Sequence, residues 1–296
     1  MFQKVTGSFS FQVCRKLQSA DSSATLITLA GPAVRIPIKF IEKKPLTADT
    51  KRFRFALPSA DHSLGIPIGN FIQLTVTVDG KQETRSYTPI STNEDRGHID
   101  LAIKIYPPTI QNPRGGIVTQ YLDQLKKGDE VLMSGPLGLL RYNGHGTFLI
   151  SSGRFSLGTA KTFMELGMLC GGSGVTAMIP ILRTMLKEDD EKPQCSLVYS
   201  NVTDRDIIMQ DELSSLSSKH RKRLKVWYTV ERPTKTNWKY GVGRINDKVI
   251  QTFMPVPAAG VLVLVCGPRP MVAACKALLL DLHYTNEMIF IFSNPP

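Results

Sequence analysis

Met168-Leu169-Cys170-Gly171-Gly172-Ser173-Gly174-Val175-Thr176-Ala177 opens as a short apolar run, turns on glycine, and continues into Met178, Ile181, Leu182, Met185 and Leu186 at helical spacing. The reading is strand, tight turn, helix. Within the turn, G-x-G-x-x-A offers backbone N–H groups and a helix N-terminus, the chemistry that binds a pyrophosphate. A helix entry that only needs close packing would look the same. The acid that would complete a Rossmann fingerprint is displaced, because the nearest candidates after the next strand are Asp204 and Asp206, beyond the usual ~20-residue offset. The expectation is dinucleotide binding in a different α/β geometry.

Downstream, the apolar runs Cys195 to Tyr199, Val226 to Val230 and Val261 to Cys266 alternate with helical stretches from Glu212 to Arg221 and from Met271 to Leu280. That alternation specifies a parallel sheet covered on both faces. Upstream, from about 35 to 150, the apolar period is two: Phe53/Phe55, then Ile72/Leu74/Val76/Val78, Ile99/Leu101/Ile103/Ile105 and Val131/Met133. These are half-buried strands, Asp79-Gly80 supplies a hairpin turn, and no helix is long enough for parallel crossovers. An antiparallel β-barrel or sandwich is expected there, with one short helix after Gly115-Gly116, Thr119 as its cap, and Val118, Leu122 and Leu125 on one face. The expected domains are a leader or tail at 1–31, the β domain at 32–150, a linker at 151–165 and the α/β domain at 166–296.

The chain has 296 residues, 42% of them hydrophobic, and a net charge of +11 spread over both halves. Disorder and collagen-like repeats are excluded, and no run approaches the ~20 apolar residues of a membrane span. Five scattered cysteines without C-x-x-C pairing support neither a zinc cluster nor a disulfide framework, which points to a reducing, intracellular compartment, cytoplasmic or mitochondrial. The basic, Ser/Thr-containing first residues allow a mitochondrial-type leader or a loosely docked tail. The charge fits an acidic partner or a phosphate-bearing ligand. Nucleic acid is not expected, since the cluster Lys219-His220-Arg221-Lys222-Arg223 lacks interleaved aromatics and a binding module. No metal is expected either, because the five histidines form no ligand-spaced pair.

Arg85-Ser86-Tyr87-Thr88-Pro89 puts a cation, a flat aromatic and a hydroxyl within one short extended stretch. Alternate side chains share a face, so Arg85 and Tyr87 could hold a phosphate and stack on a planar ring, or could form a salt bridge beside a core tyrosine. Cys266 ends a strand but has no His or Lys nearby in sequence to activate it as a nucleophile.

R-S-Y-T-P-I-S, G-G-x-x-T-Q-Y-L, G-G-S-G-V-T and C-G-P-R-P-M occur in the order and spacing of the ferredoxin-NADP-reductase-like flavoproteins, which the chain resembles over about 33 to 292. T-K-R-F-R-F-A-L-P at 50 to 58 and K-V-W-Y-T-V-E-R-P at 225 to 233 resemble, more narrowly, the NADH-cytochrome b5 reductase family. The resemblance implies an FAD domain followed by an NADH domain. It places Arg85 on the FAD pyrophosphate, with Ser86 beside it, Tyr87 on the isoalloxazine and Thr88 near flavin N5. Ala102 and Lys104 line the flavin, and Gly115, Gly116, Val118 and Thr119 bring a helix N-terminus to the phosphates. Thr176 faces the flavin from the second domain, while Gly171, Gly172 and Gly174 surround the nucleotide. Cys266, Gly267, Pro268 and Met271 border the hydride-transfer site. Thr88, Lys104 and Cys266 are thereby the residues nearest the chemistry.

The family has Pro where Ser86 and Ala177 stand, and Met-Ser where Val118-Thr119 stands; Thr119 keeps the hydroxyl, and Ser86 and Ala177 loosen the backbone without removing a ligand. The stretch from Tyr106 to Gly115 is about two residues shorter than is common, which affects the adenine end of FAD. The implied function is transfer of a hydride from NADH to FAD and of single electrons to cytochrome b5 or another acidic haem protein, by a monomer. Alternatives are a flavin fragment of a larger reductase such as nitrate reductase, or a turnover-impaired flavoprotein module. Asp206 matches the family's acidic position near the adenosine ribose, which implies preference for NADH over NADPH.

Overall fold

A computed structural model describes residues 26–153, 156–188 and 193–292. Most of the 1–31 leader lies outside the described residues. In chain order the first half contains β1 (Leu26–Ile27), β2 (Gly31–Pro45), β3 (Thr50–Ala56), β4 (His62–Ser63), β5 (Phe71–Val78), β6 (Lys81–Tyr87), β7 (His98–Lys104) and α1 (Ile117–Gln124). It continues with β8 (Glu130–Leu137), β9 (Leu140–Tyr142), β10 (Thr147–Ile150) and β11 (Thr159–Thr162).

Six of these strands form one antiparallel sheet in the order β6-β5-β8-β2-β3-β7. Period-two alternation drives it: Phe53, Phe55, Ile72, Leu74, Ile99 and Leu101 are all fully buried in one cluster with Phe40 and Met133. Burying each large side chain contributes about 1.5 to 3 kcal/mol. The β5–β6 hairpin turns on Asp79 (φ 50°) and Gly80 (φ 71°), the left-handed pair a two-residue hairpin requires. β7 departs from simple alternation, because Ile99 to Ile103 are buried on both faces. One face belongs to the β core, and the other carries Ala102 into a cluster with the second half.

The helix after Gly115-Gly116 forms, but Thr119 is not its cap. Gly116 occupies that position, and the Thr119 hydroxyl, inside the first turn, donates back to the Gly116 carbonyl at 2.9 Å. The stretch 151–165 is also more than a connection, since β11 pairs antiparallel with β10, which pairs with β9.

The second half runs β12 (Glu165–Gly171), α2 (Val175–Lys187), β13 (Gln194–Asn201), α3 (Gln210–Lys219), β14 (Leu224–Val230), β15 (Gly241–Val242), α4 (Asp247–Phe253), β16 (Val261–Cys266), α5 (Arg269–Asp281) and β17 (Ile289–Ile291). Its parallel sheet has the order β15-β14-β13-β12-β16-β17. Both faces are covered: Met168, Cys170, Leu197 and Leu264 pack under α2 and α3, while Leu169, Val198, Val263 and Val265 pack under α4 and α5. The α2-side cluster also takes in Ile90, Ala102, Leu140 and Phe148, so an apolar seam joins the halves. From β12 the chain moves outward to β15 and then returns beside β12 as β16, which places a topological switch point between β12 and β16. Of the basic cluster at 219–223, Arg223 is buried and donates to the Met185 and Glu188 carbonyls, closing the C-terminus of α2. Among the described residues no helix is long and apolar enough to cross a membrane.

Candidate functional site

Ligands in open α/β sheets bind beyond the strand C-termini at the switch point. A cavity of about 1080 Å³ opens there, walled by both edge strands of the antiparallel sheet and by the turns after β12 and β16. Small-molecule sites are typically ~300 to 1,000 Å³, so a large, extended ligand is accommodated.

Three helix N-termini open on this cavity: α1 at Gly116, α2 at Gly174 and α5 at Pro268–Arg269. None has a side-chain cap and none has an acidic residue in its first turn. By contrast α4, away from the cavity, is capped by Asn246. The first turns of α1 and α5 leave N–H donors and a positive dipole end for an anion, while α2 runs on from a 3-10 turn at Gly172–Gly174 whose carbonyls accept the Val175 N–H. Gly115 (φ 58°) makes the approach to α1 possible, since a Cβ there would lie 2.5 Å from the Tyr106 carbonyl oxygen.

Arg85, Ser86, Tyr87 and Thr88, from the end of β6, form one wall, and Ala102 and Lys104, from β7, stand beside them. The Arg85 side chain is 51% exposed, donating to the Thr84 carbonyl at 2.7 Å and pairing with Glu83 at 3.4 Å. Tyr87 is half-buried, burial pushes its phenol well up, and its Oη has no hydrogen-bond partner among the described residues. An orphaned buried hydroxyl on a flat ring, a half-exposed guanidinium and an uncapped helix suit an FAD-like group. Lys104 is engaged: its ammonium pairs with Asp49 at 2.7 Å. Burial opposes the Asp49 carboxylate, but hydrogen bonds from Lys104, Thr50 and Thr47 hold it below its usual range.

The opposite wall is Ser173, Gly174, Thr176 and Ala177 from the glycine turn, with Cys266 and Gly267. Thr176 Oγ1 donates to the Ser173 carbonyl at 2.9 Å. Burial pushes the Cys266 thiol up to about 12, so at neutral pH it is a thiol with little nucleophilic character.

Val118, Thr119 and Gly116 line the cavity, whereas Gly115, Gly171, Gly172, Pro268 and Met271 stand behind the lining. Met271 Sδ would lie 2.5 Å from a Cβ on Gly171, so that glycine also serves packing. Asp206 is not on the cavity wall. Its Oδ2 accepts from the Thr203 N–H at 2.8 Å and the Thr203 hydroxyl at 2.7 Å, in a capping box of its own turn.

Sequence reasoning missed Phe71, Leu137, Arg269, Lys276, Phe290 and Phe292 on the lining. Arg269 lay within the quoted C-G-P-R-P-M, and its position at the start of a helix was the available signal. Phe290 on β17 and Phe292 just after it carry no local signature of a site.

Residues 37–142 match the model of an oxidoreductase FAD-binding domain, and residues 168–277 match that of an oxidoreductase NAD-binding domain. The chain is 41% identical over 270 residues to NADH-cytochrome b5 reductase 2 of Mus musculus, covering 90% of this chain and 98% of that protein. It is 40% identical over 269 residues to NADH-cytochrome b5 reductase 1 of Homo sapiens, covering 90% and 88%. Among solved structures, the cytochrome b5 reductase domain of Ulva prolifera nitrate reductase superimposes with a TM-score of 0.82 at 30% identity, covering 90% of this chain and 99% of that one.

Proposed function

The chain belongs to the NADH-cytochrome b5 reductase family of FAD- and NAD-binding oxidoreductases, and from that premise we propose which residues carry each step and which acceptor receives the electrons. FAD, when bound, accepts a hydride from NADH and passes electrons on one at a time, which matches a two-electron donor to a one-electron haem acceptor.

Arg85 and the first-turn N–H groups of Val118 and Thr119 would hold the FAD phosphates, with Gly116 fixed beneath them by its own N–H donating to the Tyr106 carbonyl at 2.8 Å; a charge-assisted hydrogen bond of this kind contributes roughly 1.5 to 3 kcal/mol. Tyr87, Thr88, Ala102 and Lys104, which line the cavity together, would hold the isoalloxazine. Gly174, Thr176, Cys266 and Gly267, on the lining, would hold the nicotinamide end of NADH, with Gly171 and Gly172 shaping the turn behind them. The acceptor is cytochrome b5 or a similarly acidic haem protein, drawn to a chain of net charge +11. The enzyme acts as a monomer in a reducing compartment, cytoplasmic or mitochondrial, which suits the free thiols of Cys170, Cys195, Cys266 and Cys275.

The observation that carries this reading is the convergence of three uncapped helix N-termini with Arg85 and Tyr87 on one seam cavity. Heat release and chromatography of the cofactor should yield FAD, and Arg85→Ala should lower FAD content with the fold intact. Recovery of FMN alone, or unchanged stoichiometry with lost stability, would contradict the phosphate role.

A further inference from the structure

Helix α2 runs from one wall of the site to the segment of the first domain that follows the other wall. Its first turn presents Thr176 to the cavity. Arg183, seven residues on, lies close to two full turns along and so on nearly the same side of the helix, about 10 Å further on. There it leaves its own domain: Arg183 Nη1 donates to the Ile90 carbonyl. Its Nε and Nη2 donate to the two carboxylate oxygens of Glu212 on α3, at 2.5 and 2.8 Å.

Ile90 follows Thr88 by two residues. Its own N–H donates to the Asp100 carbonyl at 2.9 Å, and its side chain is buried in the cluster that holds Met178 and Ile179 of α2. The end of the Arg85–Pro89 stretch is therefore gripped by β7 on one side and by α2 on the other. Among the described residues, the other hydrogen bonds and ion pairs between the α2 segment and the first domain lie beyond Arg183. Lys187 pairs with Glu94 at 2.8 Å in an exposed setting, and Glu188 accepts from the Tyr142 hydroxyl at 2.8 Å. Of these polar contacts, that of Arg183 falls nearest Thr88 along the chain, and Arg183 does not itself line the cavity.

We propose that Arg183, oriented by the two-pronged contact with Glu212, is a positioning residue that sets the separation between the Thr88 wall and the Thr176 wall, and with it the hydride-transfer distance. A guanidinium suits the task because its planar fork holds a carboxylate with two donors while a further donor reaches the carbonyl, which a lysine ammonium cannot match. The inference rests on the hydride-transfer reading above.

The test is anaerobic stopped-flow reduction of the FAD-loaded protein by saturating NADH and by 4-deuterated NADH, in wild type, Arg183→Met, Arg183→Lys and Lys187→Met. Since a 1 Å misplacement costs on the order of a hundredfold, Arg183→Met should slow reduction by about tenfold to a hundredfold, with little change in KM and with FAD content retained. The isotope effect should increase, and amide exchange at Ile90 and Ser91 should quicken in Arg183→Met but not in Lys187→Met. Arg183→Lys should recover part of the rate, and Lys187→Met should match wild type. Wild-type reduction rates in Arg183→Met would overturn the proposal, as would a loss of rate only in proportion to lost FAD. If Arg183→Met does not fold, wild-type rates and isotope effects in Arg183→Lys overturn it equally. A wild type that retains FAD but is not reduced by NADH would overturn the hydride-transfer reading itself, and this inference with it.

Discussion

Gly174 and Cys266 meet so closely across the switch point that a Cβ on the glycine would lie 2.3 Å from the cysteine carbonyl oxygen. The turn after β12 and the turn after β16 are thus packed backbone to backbone, and neither can shift without the other. Gly174→Ala must push the two turns apart, at a cost of about 1 to 3 kcal/mol for forced overpacking. Because the clash lies in the second domain, FAD content should persist while reduction by NADH slows at least about tenfold, for the geometric reason that misaligned reactants lose rate steeply. Thermal unfolding, flavin stoichiometry and stopped-flow reduction together check this. Unchanged reduction would mean that the turns are not part of the nicotinamide site.

The Lys104–Asp49 pair gives a pH-dependent outcome. The Asp49 carboxyl is held low in the folded protein, so its contribution is present at neutral pH and is lost as pH falls through that lowered value. Both side chains are partly exposed, so Asp49→Asn should cost only about 0.5 to 1 kcal/mol near neutrality, and the difference from wild type should vanish in acid. Urea unfolding across that range measures it. Adding Lys104→Met to Asp49→Asn should cost little more than either alone; full additivity would show that the two residues act separately.

Preference for NADH is expected from the acids at the C-terminal edge of the sheet. Asp206 caps its own turn, so Asp206→Asn is the informative change: it keeps an acceptor oxygen for Thr203 and removes the charge. Relief of like-charge repulsion toward a ribose phosphate should raise the NADPH to NADH ratio of kcat/KM by about tenfold. Glu231, whose N–H donates to the Asn201 carbonyl at 3.1 Å, stands at the same edge and provides the comparison through Glu231→Gln. A ratio that moves only with Glu231→Gln would make Asp206 a cap and nothing more.

The elements that were legible in sequence are those whose chemistry is local. Asp79-Gly80 encodes its hairpin because the turn itself demands left-handed backbone, and Met168 to Ala177 encodes strand, turn and helix in a single stretch. Strand β2 escaped detection because a register shift between Phe40 and Glu42 breaks its alternation and prolines interrupt it. Thr119 was misread because a hydroxyl near a helix start can bond forward as a cap or backward to a carbonyl, and spacing does not distinguish the two. Ala102, Arg183 and Phe290 owe their roles to the seam between domains. No periodicity within either domain records which of its faces meets the other.

The most direct test is a sequential mixing experiment without oxygen: NADH is added to the FAD-loaded protein, and oxidised cytochrome b5 follows. The account predicts that NADH bleaches the flavin's visible absorption. Cytochrome b5 should then restore it as the haem spectrum turns to the reduced form, at a rate that falls with added salt because the attraction of a +11 protein is screened beyond about 8 Å at physiological ionic strength. Absence of bleaching by NADH, with FAD demonstrably bound, would contradict it.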